Sequence, residues 1–482
     1  MTGEFYMKAT SDNIKTQKEK IKKGNPKIEL LGSCRIDNGI GILSESELRK
    51  AIKDFENSRP NLDISFFIPS SGSGSRMFGA AYAFLNQESP DDASIEFIEH
   101  LINSIESFAF YNKLSQDLKD DLKRGTIEIE PFLKHLLQPD GFNFGNRPKG
   151  LIPFHRYGNF IINPFQEHIL QGAEVGGEKS HFHFTINERF KEDIQHSIKI
   201  LREFTGIDFY FDFSIQDEKS NSLAFDEKGE PVYGGNGEIV SRPAGHGALI
   251  DNLNAIDSDL IFIRNIDNVQ HQDHADNSAD YRKMLAGILL DFQARVFAIL
   301  KKIDNKGDYS VALQELNTMY DLRLTPSDME SPQRIFDLLN RPIRICGMVK
   351  NEGQPGGGPF WVMDDHGRPR RQIVEKSQIS GKNAQLNMLI KSTHFNPVEI
   401  ICAPKNYKGE KFDLKSFRNN DQYFIVKKDH KGTPVQFIEQ PGLWNGGMYH
   451  WNTLFYEIGS ECFSPVKTVL DLLKSLHRPS KG

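Results

Sequence analysis

The chain has 482 residues, 38% of them hydrophobic, 26% charged and 11% aromatic, with a formal net charge of -6. That length suits two or three ordinary domains or one large α/β core with insertions, and the acidic balance gives no basis for a nucleic-acid partner. No apolar run approaches the roughly 18 to 20 residues of a membrane span and no hydrophobic signal core opens the chain, so no membrane partner is expected, and a cytoplasmic location is.

Residues 1–60 read as a polar, helical N-terminal segment. Lys15 to Lys27 forms a solvated basic helix face, and Ser44 or Ser46 caps a helix running to about Phe55. Pro60 and Asn61 hand over to a strand built on Ile64, Phe66, Phe67 and Ile68. Ser70, Ser71, Gly72, Ser73, Gly74 and Ser75 come next without a bulky side chain, and then Arg76. Small residues let backbone N–H groups approach an anion and Arg adds a forked, permanent charge, so this loop is a candidate phosphate cradle. A flexible Gly/Ser turn with a surface Arg is the plainer reading of the same residues.

A helix is expected after the loop, with Ile95, Ile98, Leu101, Ile102, Ile105 and Phe108 on one stripe. Pro139, Asp140 and Gly141 make a turn, and Arg147 to Phe154 reads as a strand-like segment with Lys149 at its mouth. From Ser180 to Ile186 the pattern alternates: His181 and His183 share one side, Phe182 and Phe184 the other. Histidines two apart suit hydrogen-bonded strand positions better than a metal site, since no third ligand lies nearby. Leu260 to Ile263 is a fully apolar strand ending at Arg264, Asn265, Ile266, Asp267 and Asn268, and a helix from Tyr281 to Ile303 carries a continuous apolar stripe. His271 to Asp276 has metal-ligand composition and is expected as a polar loop. Gly353 to Gly358 reads as a loop, and Trp444 and Trp451 as part of a packed hairpin rather than a sugar platform. Cys34, Cys346, Cys402 and Cys462 lie far apart without paired spacing, as buried small hydrophobes do. The alternation of strands and helices makes the class α/β, with a mixed, mainly parallel central sheet flanked by helices.

The small-residue loop with Arg76, Lys149, the turn Arg242 to Gly247 and the strand-end Asp267 together carry what nucleotidyl transfer requires: positioning and charge neutralisation across a polyanion. In order and wording they resemble the UDP-sugar pyrophosphorylase family of nucleotide-sugar transferases. The family loop Leu-Ala/Ser-Gly-Gly-x-Gly-Thr-Arg-Leu is similar to Ser70 to Met77, with Ser71 standing where a Gly is usual. Its Pro-x-Gly-His/Asn-Gly turn is similar to Pro243 to Gly247, and its strand end Asn-x-Asp-Asn to Asn265 to Asn268. Arg371 to Ser377 resembles the family's sugar segment. Cys462 to Leu473 resembles the Phe-x-Pro-Val-Lys-Thr-x-x-Asp-Leu-Leu of UDP-glucose pyrophosphorylases. The wording, with Pro441 to Gly446, also resembles a bacterial family of unknown function.

The resemblance implies a nucleotide-diphospho-sugar transferase fold of the GT-A, Rossmann-like kind. Residues 61–482 would form the catalytic domain, and because Lys149 stands far downstream of Arg76, a helical region would be inserted at about 85–140. It implies a Mg2+-dependent transfer joining a sugar 1-phosphate to a nucleoside triphosphate, UTP by family analogy, with release of pyrophosphate. Arg76, Lys149 and Lys467 would serve catalysis at the phosphates. Ser70, Ser71, Gly72, Gly74, Ser75, Gly245 and His246 would bind the nucleotide, Glu375 and Asn265 the sugar, and Asp267 the metal. A glycosyltransferase consuming a nucleotide sugar, which needs no triphosphate cradle, and a non-catalytic nucleotide-sugar sensor, for which Ser71 and the distant Lys149 speak, are the alternatives. The sugar, the base and the oligomeric state are left open.

Overall fold

The computed structural model describes residues 5–7, 10–87, 90–177, 179–215, 221–235, 237–242, 246–353, 356–430 and 432–480. Among the strands are β1 (Ile64–Pro69), β2 (His181–Ile186), β3 (Tyr210–Ile215), β4 (Leu260–Ile263), β5 (Ile343–Lys350), β6 (Gly358–Met363), β7 (Pro369–Val374), β8 (His394–Ala403) and β9 (Asn452–Glu457). The chain divides into two units. One comprises Met1–Ile64, Gln216–Phe262 and Arg282–Ser460; the other comprises Ser65–Ile215, Ile263–Tyr281 and Glu461–Gly482.

In the first unit the strand order is β9-β5-β8-β4. β5 runs parallel to β9 and antiparallel to β8. The apolar stripe expected on the long helix is buried: Met284, Leu285, Ile288, Leu289, Phe292, Val296 and Leu300 are all 7% exposed or less. That helix, Asp276–Asp304, starts a turn earlier than its stripe suggested. Close approach is built in with glycine: a Cβ on Gly287 would lie 2.0 Å from the carbonyl oxygen of Ala51 in the helix Glu45–Ser58. Ser44 caps that second helix in a reciprocal box with Glu47, satisfying two backbone donors at its start. Between the helices Ser11–Lys23 and Glu45–Ser58 the chain is extended, and its Leu30–Ser33 strand pairs with β6, which pairs in turn with β7. Leu30, Phe360, Val362 and Val374 form the small core of that three-stranded sheet.

In the second unit β1, β2 and β3 lie side by side and parallel. Phe66 stacks on Phe182 with centroids 5.0 Å apart, and Phe182 and Phe184 are fully buried. His181 and His183 occupy the opposite face, as alternation requires, and both meet Asp212 of β3; His183 also pairs with Ser214 at 2.7 Å. Helices Asp92–Asn103, Gln116–Arg124 and Ile129–Leu137 lie downstream of the loop and enclose a core that includes Ile98, Leu101, Phe108, Phe110, Phe132 and Leu136. Two expectations fail locally. Ile95 is 38% exposed although Ile98 and Leu101 are buried, and the stripe is not one helix: the helix ends at Asn103, Ile105 opens a 3-10 turn and Phe108 closes it. Lys149 sits not in a strand but in the 3-10 turn Lys149–Leu151, with Pro148 ahead of it and Gly150 pressed against Phe165.

Candidate active site

β1 ends where its apolar run ends, and Ser70 ties that end to β2: its N–H and its hydroxyl both donate to the carbonyl of Thr185, at 3.0 and 2.8 Å. Ser71, Gly72 and Ser73 are exposed. Nothing of the protein lies within 4 Å of where a Cβ on Gly72 would stand, so this is the stretch of loop backbone open to a ligand. Gly74 turns the other way. It is buried, its N–H donates to the carbonyl of Arg147 at 2.9 Å, and a Cβ there would lie 2.5 Å from Ile152. Ser75 hydrogen-bonds Ser73, and the 3-10 turn Gly74–Phe78 leaves Arg76 exposed.

The turn after Pro148 brings Lys149 back to this loop, its N–H donating to the carbonyl of Gly72 at 3.0 Å. Its ammonium donates to Asp267 Oδ2 at 3.0 Å and to the carbonyl of Val466 at 2.8 Å. Lys467 donates to the same Asp267 oxygen at 3.0 Å. The C-terminal segment is laced to the strand end by its backbone. Val466 N–H donates to the Asp267 carbonyl at 3.1 Å, and Asn268 bonds Cys462 and Ser464 through its side-chain amide. Asp471 then accepts the N–H groups of Lys467 and Thr468, which fixes where Lys467 leaves the chain.

Asp267 is 7% exposed. Burial pushes its carboxyl upward, but Lys149 and Lys467 more than reverse this and hold it below the usual carboxylate range. Lys149 is held below its ordinary value by burial, against the pull of Asp267, and Lys467 and Arg76 add to the lowering. Two cations thus bear on one buried carboxylate, and Arg76 acts on the first of them. Among the described residues no group of three or more His, Cys, Asp or Glu gathers as a metal cluster. Asp267 is a single carboxylate whose Oδ2 receives both ammonium groups, so a divalent ion there would use its other oxygen and draw the rest from substrate phosphates and water, as Mg2+ characteristically does.

The remaining expected site residues are divided between the two units. Asn265, in the second unit, is half-exposed and accepts from His168 through its carbonyl at 3.1 Å. Glu375, in the first unit, is half-buried and accepts from Asn396 at 3.3 Å; burial raises its carboxyl above the usual range, against hydrogen bonds that include Trp444 and Asn396. His246 begins a 3-10 turn, while its side chain and all of Gly245 lie outside the described residues.

A buried polar group in the second unit was not expected from the sequence. His155 pairs with Glu167 at 2.7 Å and with His477 at 3.0 Å, Tyr157 donates to Glu167 at 2.6 Å, and His477 bonds the carbonyl of Ser464 at 3.0 Å. It anchors the segment that carries Lys467. A Glu and a His separated by most of the chain have no local spacing to betray them; the only signal was the Asn163-Pro164 cap that starts the helix holding Glu167.

The family described as "Domain of unknown function (DUF4301)" matches residues 5–478. The chain belongs to that family. Among proteins of curated function none matches it. In fold the DUF4301 chain is similar to the uridine diphosphate N-acetylglucosamine pyrophosphorylase from Trypanosoma brucei, solved with an inhibitor, at 12% identity and a TM-score of 0.50 over 96% of this chain and 74% of that one. A UDP-glucose phosphorylase from Trypanosoma brucei aligns at 13% identity and a TM-score of 0.40 over 95% of this chain and 75% of that one. The likeness of this DUF4301 chain to the UDP-sugar pyrophosphorylases is thus one of fold, mixed α/β with helices around mostly parallel strands.

Proposed function

We propose that this protein is a nucleotidyltransferase that joins a sugar 1-phosphate to a nucleoside triphosphate, UTP by preference, and releases pyrophosphate. The observation that carries the reading is the convergence of Lys149 and Lys467 on Asp267, at 3.0 Å each, beside the open backbone of Gly72. A phosphate oxygen of the sugar 1-phosphate attacks the α-phosphorus of the triphosphate; the α–β phosphoanhydride bond breaks and its electron pair leaves with pyrophosphate. No side-chain nucleophile is needed, because positioning and charge neutralisation supply the catalysis. The exposed residues Ser71 and Gly72 would offer backbone N–H groups to phosphate oxygens, and Arg76, Lys149 and Lys467 would offset charge on the reacting and leaving groups. Asp267 would hold Mg2+, whose chemistry is to neutralise and align phosphate oxygens. Nucleoside and sugar roles for Gly245, His246, Glu375 and Asn265 are those the resemblance implies, and a cytoplasmic setting suits such substrates.

A panel of triphosphates crossed with sugar 1-phosphates, assayed for released pyrophosphate with Mg2+, tests the proposal. At least one pair should turn over, with UTP among the accepted triphosphates. Pyrophosphate release from no pair, by protein shown to be folded, would refute it.

A further inference from the structure

The second unit contains a cavity of about 730 Å3 that the proposed reaction does not use. Tyr157, Phe160, Leu170, Leu201 and Phe204 give it largely apolar walls, and its volume lies in the range of small-molecule sites, roughly 300 to 1,000 Å3. At its rim Phe204, 68% exposed, stacks on Phe160 with centroids 4.2 Å apart. The pair makes an aromatic wall that is open to solvent and available to a flat ligand.

The polar end of the cavity has one sign. Glu174 and Asp273 both line it, and among the described residues neither has a Lys or Arg within ion-pair distance. Glu174 receives the side-chain amide of Gln272, at 3.3 Å, and Asp273 the backbone N–H of Ser480, at 2.9 Å. His271 lies 3.5 Å from Asp273, and burial, then His155, lowers its pKa and so favours the neutral ring. Gln272 reaches Glu174 with its amide nitrogen, which leaves its carbonyl oxygen buried with no donor. An apolar, aromatic-walled cavity that ends in two carboxylates without a Lys or Arg and an acceptor without a donor is complementary to one kind of molecule. We propose that it binds an aromatic amine, whose ring lies against Phe160 and Phe204 and whose ammonium faces Glu174, Asp273 and the Gln272 carbonyl. Ring stacking and charge pairing with these two exposed carboxylates both favour that occupant.

Tryptamine and indole-3-propionate share a ring and differ in the sign of the side-chain charge, so titrating both into the full chain by calorimetry, without nucleotide, tests the proposal. Tryptamine should bind, about tenfold or more tighter than indole-3-propionate. Ala173→Trp, which fills the cavity, should abolish tryptamine binding, and Glu174→Gln should weaken it several-fold. Phe204→Ala, at an exposed position where folding is not in question, should weaken both ligands. Asp267→Asn should leave binding unchanged, which separates this site from the proposed reaction. Equal affinity for the two ligands, or tryptamine binding that survives both Ala173→Trp and Phe204→Ala, would overturn the proposal. So would a dimer in analytical ultracentrifugation that Phe204→Ala dissociates, since the aromatic wall would then belong to a second copy.

Discussion

Lys467 and Asp267 stand 200 positions apart in the chain and meet at 3.0 Å. Lys149 reaches the same carboxylate oxygen from a third segment, so one buried anion organises three stretches of chain. If that carboxylate also holds the metal for nucleotidyl transfer, Asp267→Asn should lower turnover by about 10² to 10³, the usual effect of losing one charge-stabilising group. Steady-state kinetics at saturating substrate check this. Lys149 and Asp267 are both largely buried, so a double-mutant cycle with Lys149→Met should show a coupling of about 1 to 3 kcal/mol in urea unfolding.

Lys149 has its proton loosened by burial, with Lys467 and Arg76 contributing and Asp267 opposing. A lysine with a lowered value becomes neutral at lower pH than an ordinary one. The alkaline limb of the kcat profile should therefore fall earlier than a free lysine would dictate, and Lys149→Arg should move that limb upward while lowering the plateau. A limb in the same place for both proteins would remove Lys149 from the charge balance.

Gly72 and Gly74, two residues apart in one loop, should respond oppositely to the same change. Gly74→Ala drives a methyl against Ile152 and the Arg147 carbonyl and should destabilise by about 1 to 3 kcal/mol. Gly72→Ala meets no protein atom and should leave the melting temperature unchanged while weakening triphosphate binding. Thermal melts with and without UTP and Mg2+ distinguish the two.

His477 is 3% exposed, and burial, then His155, pushes its pKa down to about 3. Its folded value lies below its unfolded value of about 6.5, so the stability it confers is present above that value and is lost as pH falls toward 3. His477→Gln should flatten the fall in melting temperature between those limits. Amide exchange at low pH should show the segment after Cys462 opening before β1 and β2.

Much of this arrangement was legible because its parts are local. The strand Ile64–Pro69 opens as a buried run, the small-residue loop announces itself, and Asp267 comes four residues after the end of β4. The wording around Lys467 was readable too, with Asp471 closing its turn four residues on. What the sequence hid depends on distance or on packing. Lys149 comes after a Pro that suggested extension, but the packing of Gly150 on Phe165 turns the chain instead. Ile95 reads as part of an apolar stripe, but the helix buries Ile98 and Leu101 and leaves Ile95 partly exposed. Gly74 looked like a ligand-facing glycine, and its buried backbone is visible only once Arg147 is in place. The pairing of His155, Glu167 and His477 joins residues with no pattern between them.

Isotope exchange between labelled pyrophosphate and UTP, started from the nucleotide sugar and Mg2+, measures the central claim most directly, because only a reversible nucleotidyl transfer returns label to a triphosphate. The unaltered protein should form labelled UTP from UDP-glucose or UDP-N-acetylglucosamine, and Asp267→Asn and Lys467→Ala should each slow it by about 10² or more. Exchange at the unaltered rate in both variants would contradict the account, because it would place the chemistry away from the carboxylate that the two lysines share.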